Sequence, residues 1–234
     1  MLLRLDRVSV SVGTPDGELV LLHPTSVSID EHRVALIGGN GSGKSTFARL
    51  LNGLVEPSTG HVTVGDLDTV DDGPAVRRAV GFVFTDPGAQ LVMPTCVEDV
   101  ALSLRRTVKD KRERARQARA ILDGIGLGDK ADTSVHALSG GQKQMLALAG
   151  VLATDPQVLV ADEPTTLLDL RNTRLVADRL FALSQQLVLV THDLELAARC
   201  DRVLVVDDAR IAFDGSPGDA IAHYRASVAA GGPS

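Results

Sequence analysis

The sequence predicts an α/β fold: a core of buried strands and helices, an antiparallel β flap on its N-terminal side, and an α-helical segment inserted into it. Three observations carry that expectation. Short, uninterrupted apolar runs at Val34-Ala35-Leu36-Ile37, Val158-Leu159-Val160-Ala161 and Leu187-Val188-Leu189-Val190 have the length and composition of buried strands. Residues 4 to 12 alternate instead, with Leu5, Val8, Val10 and Val12 set among polar neighbours, the period of a half-buried strand. From about 86 to 150 the apolar spacing becomes helical. The expected division is one domain over 1–234, with core and β subdomain in 1–85 and 151–228, the helical insert in 86–150, and a disordered tail over 229–234.

Taken in order, the alternating strand ends at Thr14-Pro15-Asp16-Gly17, a turn. A second strand is expected over roughly Leu19 to Leu22, and a third around Val27 and Ile29. The buried run 34–37 then enters Gly38-Gly39-Asn40-Gly41-Ser42-Gly43-Lys44-Ser45-Thr46, which contains G-x-x-x-x-G-K-[ST] between a strand and a helix. Phe47, Leu50, Leu51 and Leu54 mark that helix by falling at i, i+3, i+4 and i+7. Glycines let such a loop curl so that its N–H groups point inward at a polyphosphate, and the helix presents its positive end to the same anion. Lys44 adds a mobile charge near the β- and γ-phosphates, and the Ser45 hydroxyl is placed to ligate Mg²⁺. At average residue usage, a chain of this length would match the motif by accident on the order of once in a hundred.

Glu56-Pro57-Ser58-Thr59-Gly60 is a further turn before a short strand, His61 to Val64, with His61 expected to face solvent. Val80 to Phe84 reads as a strand and Thr85 to Gln90 as an irregular connection. Thr95 and Glu98 form a capping box for a helix running to about Arg105. The basic run Arg105, Arg106, Lys109, Lys111, Arg112, Arg114 and Arg116 reads first as a solvated helix face, since Ala115, Ala118, Ile121, Leu122 and Ile125 supply a buried one. A docking surface for a partner is the alternative. Gly124, Gly126 and Gly128 end that helix.

Leu138-Ser139-Gly140-Gly141-Gln142 opens the next helix, with Ser139 and Gln142 spaced as a capping box. A capping box does not explain the glycine pair. Each glycine in a first turn costs on the order of 1 kcal/mol, which points to bare amides wanted at an accessible helix end. The strand 158–161 then runs into Asp162 and Glu163, placing one carboxylate to hold Mg²⁺ and the next to take a proton from attacking water. The strand 187–190 ends at Thr191-His192-Asp193, on the side of such a sheet where ligands bind. Val203 to Val206 and Arg210 to Phe213 complete the core as a hairpin.

Composition narrows the function. A formal charge of −6 over 234 residues argues against a nucleic-acid surface, which needs a basic stripe. Cys96 and Cys200 have neither pairing nor metal spacing and read as reduced thiols of a cytosolic protein. No apolar run approaches a membrane span, and Met1-Leu2-Leu3-Arg4 begins no signal peptide, so the chain is expected to be soluble.

Together these motifs resemble the ATP-binding subunits of ABC transporters over nearly the whole chain. The resemblance implies a P-loop NTPase (RecA-like) core, an N-terminal antiparallel β subdomain and an inserted α-helical subdomain. It makes residues Gly38 to Thr46 the phosphate loop, Leu138 to Gln142 the signature sequence, Asp162 the Mg²⁺ aspartate and Glu163 the catalytic glutamate. Asp169, within Thr166-Leu167-Leu168-Asp169, becomes the D-loop aspartate and His192 the switch histidine. It further implies two copies facing head to tail, with each ATP held between the phosphate loop of one and Ser139, Gly140 and Gly141 of the other.

Two departures stand out. Thr85 occupies the place of the family's usual glutamine near Mg²⁺, where a hydroxyl would act through water and alter turnover. Val10 and Val12 stand where the family often stacks an aromatic ring on adenine. Losing such a stack weakens binding by about 1 to 3 kcal/mol, so base discrimination is expected to be weak. Phe84-Thr85-Asp86-Pro87-Gly88-Ala89-Gln90 with Val97-Glu98-Asp99-Val100 is similar to energy-coupling factor ATPases, and the threonine to their biotin-uptake branch. This similarity implies a transmembrane coupling protein and a substrate-capture membrane protein as partners, a vitamin or transition-metal ion as cargo, and a peripheral place on the cytoplasmic membrane face. The dimer is expected to be a homodimer, with a heterodimer as the alternative. Competing functions are a conventional ABC importer or exporter ATPase, a soluble ABC ATPase working outside transport, and a nucleotide-gated regulator.

Overall fold

Strands and helices in the computed structural model, which describes residues 1–15 and 17–231, follow the apolar pattern closely. The strands are β1 (Leu3–Thr14), β2 (Gly17–Ile29), β3 (Arg33–Ile37), β4 (Thr59–Val64), β5 (Leu67–Asp68), β6 (Val80–Val83), β7 (Val158–Asp162), β8 (Gln186–Val190), β9 (Arg202–Asp207) and β10 (Arg210–Gly215). The α-helices are α1 (Lys44–Leu50), α2 (Gly73–Ala79), α3 (Cys96–Ser103), α4 (Lys111–Gly124), α5 (Gly140–Leu152), α6 (Leu170–Phe181), α7 (Leu194–Ala197) and α8 (Pro217–Ala229). They fall into two units: Met1–Val80 with Gln157–Glu163 and Ser184–Ser234, and Gly81–Pro156 with Pro164–Leu183. The second unit thus takes in more chain than the 86–150 segment that helical spacing marks.

In the first unit, β2-β1-β4-β5 form an antiparallel sheet, and β10-β9-β3-β8-β7 lie in that order in a second. Here β9, β3, β8 and β7 are parallel, and β10 closes the edge antiparallel to β9. Every residue of β3, β7 and β8 is buried. That is why these strands read as continuous apolar runs and β1 as an alternating one.

Two expectations change. Leu19–Leu22 and the Val27/Ile29 stretch are one 13-residue strand, not two. Pairing steps from Val8↔Thr25 to Val10↔Leu22, so a register shift takes up the extra residue around Pro24, which has no N–H to give the ladder. Leu54 does not extend the apolar face of α1, because the helix stops at Leu50 and Gly53 follows with φ +66°, leaving Leu54 exposed. Helix α8 runs to Ala229, where the tail was expected to begin; residues 232–234 of that tail, and Asp16 of the first turn, lie outside the described residues.

The β9–β10 turn supports the phosphate loop. Asp208 and Ala209 have φ of +44° and +57°, both positive as in a type I′ hairpin turn, with Asp207 paired to Arg210. The Ala209 N–H donates to the Ser42 carbonyl at 3.0 Å, and the Ala209 carbonyl accepts from the His23 N–H at 2.8 Å. An alanine in this region carries a steric cost of about 1 kcal/mol that glycine avoids. Ala209→Gly is therefore expected to raise stability by about 0.5–1 kcal/mol, read as a higher urea midpoint with unchanged slope. A lower midpoint would mean that the buried methyl outweighs the backbone strain.

Candidate functional site

Strand register assembles the first cluster. Leu36 of β3 pairs with Val190 of β8, and Val190 pairs with Asp162 of β7, so the three strands end in one row. The residues just past each strand end are thereby brought together: Gly38 after β3, Glu163 after β7, and Thr191-His192 after β8. Backbone bonds extend the row, with Thr191 N–H donating to Leu36 O at 3.1 Å and Glu163 N–H to Val190 O at 3.0 Å.

The loop from Gly38 to Thr46 is shaped by close approaches. A methyl group at Gly38 would overlap the Val206 carbonyl oxygen, and one at Gly43, where φ is +103°, would lie 2.8 Å from the Leu21 carbonyl oxygen. Gly39 and Gly43 are half-buried, while Asn40 and Gly41 sit exposed at the rim. Lys44 is only 7% exposed, and its Nζ donates to the carbonyls of Gly38 at 2.9 Å and Gly39 at 2.6 Å. An ammonium has three protons, so two brace the loop and one remains. Burial pulls the Lys44 pKa down from its ordinary value, against the carboxylates of Glu163 and Asp162, which pull it up. The Ser42 hydroxyl is buried without a hydrogen-bond partner among the described residues. An orphaned donor in a braced, glycine-lined loop fits an anion.

Asp162 is 2% exposed at the end of β7. Its Oδ1 accepts from Ser45 Oγ at 2.9 Å, and Arg49 NH2 lies 3.8 Å from its Oδ2. Burial raises the Asp162 pKa, opposed by the Ser45 hydrogen bond and by Arg49. Ser45 and Asp162 present adjacent oxygens, the donor type Mg²⁺ takes, so the pair fits that cation. Thr46 flanks them, half-buried, in the first turn of α1. Beside Asp162, Glu163 has φ +51°, uncommon for a residue with a side chain, and its Oε2 lies 2.8 Å from His192 Nδ1. A carboxylate can only accept, so Nδ1 carries the proton and donates it.

The second unit carries the other residues singled out in the sequence. Ser139 caps α5 with both halves of a capping box: its Oγ accepts from Gln142 N–H, and its own N–H donates to Gln142 Oε1 at 3.0 Å. Asp169 caps α6, accepting from Asn172 N–H at 2.8 Å and Asn172 Nδ2 at 2.9 Å, and these bonds hold its pKa below the usual value. The glycine pair divides. A methyl at Gly140 would make ordinary 3.8 Å contacts with Leu167 and Leu168, whereas one at Gly141 would overlap the Asn172 side chain. Thr85 belongs to a separate segment whose preceding residue is held at both polar groups: Phe84 N–H donates to Gln90 Oε1 at 3.3 Å, and Phe84 O accepts from Gln144 Nε2 at 3.4 Å.

Four residues in these networks carried no sequence reading of their own. Arg49 stands one helical turn after Ser45, Asn172 three residues after the α6 cap, Gln144 two residues after Gln142, and Ala209 takes a turn position that favours glycine. The first two spacings are visible in the sequence, but only the fold gives them partners. Of the basic run, Arg114 caps the Val108 and Lys109 carbonyls and Arg116 pairs with Glu113, which favours the solvated-face reading there. Arg105 and Lys111, together with Arg114, line a groove of about 350 Å³ with Met93, Val97, Glu98, Ala101, Leu102 and Ala115. Among the described residues no helix is long and apolar enough to cross a membrane.

A protein-family model described as "ABC transporter" matches residues 22–166, more than half of the chain. The biotin transport ATP-binding protein BioM of Rhizobium etli is 43% identical, over 92% of this chain and 96% of that protein. The energy-coupling factor transporter ATP-binding protein EcfA1 of Latilactobacillus sakei is 36% identical, over 89% of this chain and 77% of that one. Among solved structures, a dimeric post-hydrolysis state of the ATP-binding cassette MJ0796 bound to ADP and Pi superposes with a TM-score of 0.82 at 27% identity, covering 92% of this chain and 98% of that chain.

Proposed function

Since the chain belongs to the ABC transporter family and is an ATPase of that kind, we propose that it energises an energy-coupling factor importer for a vitamin, with biotin the favoured cargo. The observation that carries this is the 43% identity to a biotin transport ATP-binding protein over nearly the full length of both. Local structure is consistent with it. Gln90, the second glutamine of the energy-coupling factor pattern, tethers the residue before Thr85.

In this reading ATP lies in the Gly38–Thr46 loop, with Ser42 and the third Lys44 proton turned to its phosphates. Ser45 and Asp162 would hold Mg²⁺, which supplies charge neutralisation at the β- and γ-phosphates. Glu163 accepts the proton of the attacking water or orients it, and His192 fixes the Glu163 carboxylate by their hydrogen bond. Cassettes of this family act as dimers. A second copy would contribute Ser139, Gly140, Gly141 and Gln142, whose capping box takes up the Gln142 N–H and leaves those of Gly140 and Gly141 at the start of α5, with Asp169 beside them. ADP lacks the γ-phosphate they would grip, so hydrolysis would open the dimer. The groove lined by Met93, Val97, Ala101, Leu102, Arg105 and Lys111 would receive an amphipathic helix of the transmembrane coupling protein, placing the chain on the membrane's cytoplasmic face.

Near the expected base site the β1–β2 hairpin carries no Phe, Tyr or Trp, and Val12 is paired to Leu19 with both exposed. GTP and CTP are expected to compete with ATP at less than about a hundredfold disadvantage, a gap of about 2.7 kcal/mol. A larger gap would reveal a specific base contact. The import reading itself is tested by extracting the full chain with its companions in mild detergent and identifying them. A coupling protein with a separate small capture protein, retaining biotin, is the expected result. A pair of large permease subunits, or no membrane companion, would overturn it.

A further inference from the structure

We propose that Asn172 is a positioning residue that docks the first turn of α5 against Asp169, so that the signature amides and the D-loop aspartate move as one piece. This rests on the reading of that turn as the half-site completed by a second copy. Asp169 grips Asn172 twice, at its backbone N–H and at Nδ2, at 2.8 and 2.9 Å, which fixes the carboxamide at the start of α6. The Asn172 side chain fills the space a side chain at position 141 would need: a methyl there would overlap Asn172 Cγ and Oδ1 and lie 2.8 Å from its Cβ. Gly140 is under no such constraint, its nearest neighbours being Leu167 O and Leu168 Cδ2, both at 3.8 Å.

The two glycines therefore have different reasons. Gly140 leaves an open surface, where a side chain would intrude only on something arriving from outside the chain. Gly141 is glycine because Asn172 is beside it, while its N–H remains at the first turn of α5. A pull on that turn by a γ-phosphate is transmitted through the Gly141–Asn172 contact to Asp169. Close-packed groups leave little free volume between them, so the contact passes displacement on instead of absorbing it.

The test is a cycle of Gly141→Ala, Asn172→Ala and the double variant in the full chain, each also made with Glu163→Gln. Thermal unfolding reads the contact without any partner. Gly141→Ala should lower the midpoint by about 3 °C or more, and adding Asn172→Ala, which removes the Cγ and Oδ1 overlap but keeps a Cβ 2.8 Å from the new methyl, should recover part of that loss. Turnover and ATP-driven dimerisation in the Glu163→Gln background read the positioning role. Asn172→Ala alone should lower kcat by about three- to tenfold with KM for ATP within about twofold. Gly141→Ala should lose dimer and turnover by more than about tenfold, and the double variant should regain at least about threefold of that loss.

Recovery of stability without recovery of turnover would reduce Asn172 to a packing residue and overturn the proposal. So would a double variant as unstable as Gly141→Ala. If Gly141→Ala fails to fold, restored folding in the double variant still decides the contact and its turnover still decides the role. Failure of the Glu163→Gln parent to dimerise with ATP would instead defeat the shared-site reading, leaving the unfolding cycle intact.

Discussion

Replacing Glu163 by Gln is expected to lower steady-state ATP turnover by about a hundred- to ten-thousandfold, the range a positioned general base supplies, while nucleotide binding is retained. The substitution is nearly isosteric. A glutamine Oε1 can still accept from His192 Nδ1 where the carboxylate does now at 2.8 Å, and the carbonyl of Val190 still accepts the backbone N–H of residue 163. The capacity to take a proton from water is lost. With hydrolysis blocked and γ-phosphate contacts intact, the ATP-bound dimer should accumulate, seen as a shift from monomer to dimer by light scattering with ATP and no shift with ADP.

The same experiment separates the competing functions. A nucleotide-gated regulator would change its already slow rate little, because its output does not depend on the base. His192→Ala provides the second comparison. It removes the group that fixes Glu163 but leaves the carboxylate, so its loss of turnover should be smaller than that of Glu163→Gln if His192 acts only through Glu163. An equal or greater loss would mean that His192 contacts the phosphate itself.

Much of the first cluster was legible in the sequence because its three strands are buried on both faces. Their apolar runs mark themselves, and their ends carry Gly38, Asp162-Glu163 and His192. The capping boxes at Thr95/Glu98 and Ser139/Gln142 were equally plain, since each is a local pattern complete within four residues. The continuous β2 strand was not, because Pro24 signals a break that only pairing with β1 overrides. Helices α2, α6, α7 and α8 carried no reading either; α7 is four residues long, and the buried face of α6 is confined to Val176, Ala177 and Leu180. The reason for Gly141 lay furthest from view. It depends on Asn172, thirty-one positions along the chain, and nothing in local spacing joins them.

Lys44→Ala is expected to weaken ATP binding by about tenfold to a hundredfold or more, the worth of one charged hydrogen bond, and to remove turnover beyond that. Two roles fail together. The free proton of the ammonium no longer meets phosphate oxygen, and charge developing on the γ-phosphoryl group loses a preorganised cation, a term worth about a hundred- to a thousandfold in rate by itself. The loop also loses its brace, because the Gly38 and Gly39 carbonyls now accept from Nζ at 2.9 and 2.6 Å. The Gly39 carbonyl borders half-exposed backbone and can turn to water, whereas that of Gly38 sits on buried backbone, so the stability cost should be about 1–3 kcal/mol. Binding measured by calorimetry and stability by urea unfolding therefore separate the roles. A tenfold or greater affinity loss with a midpoint shift worth about 1–3 kcal/mol is the expected pair of results. Unchanged ATP affinity would move the phosphates out of the Gly38–Thr46 cradle, and a collapse in stability would make Lys44 a structural brace first and a ligand second.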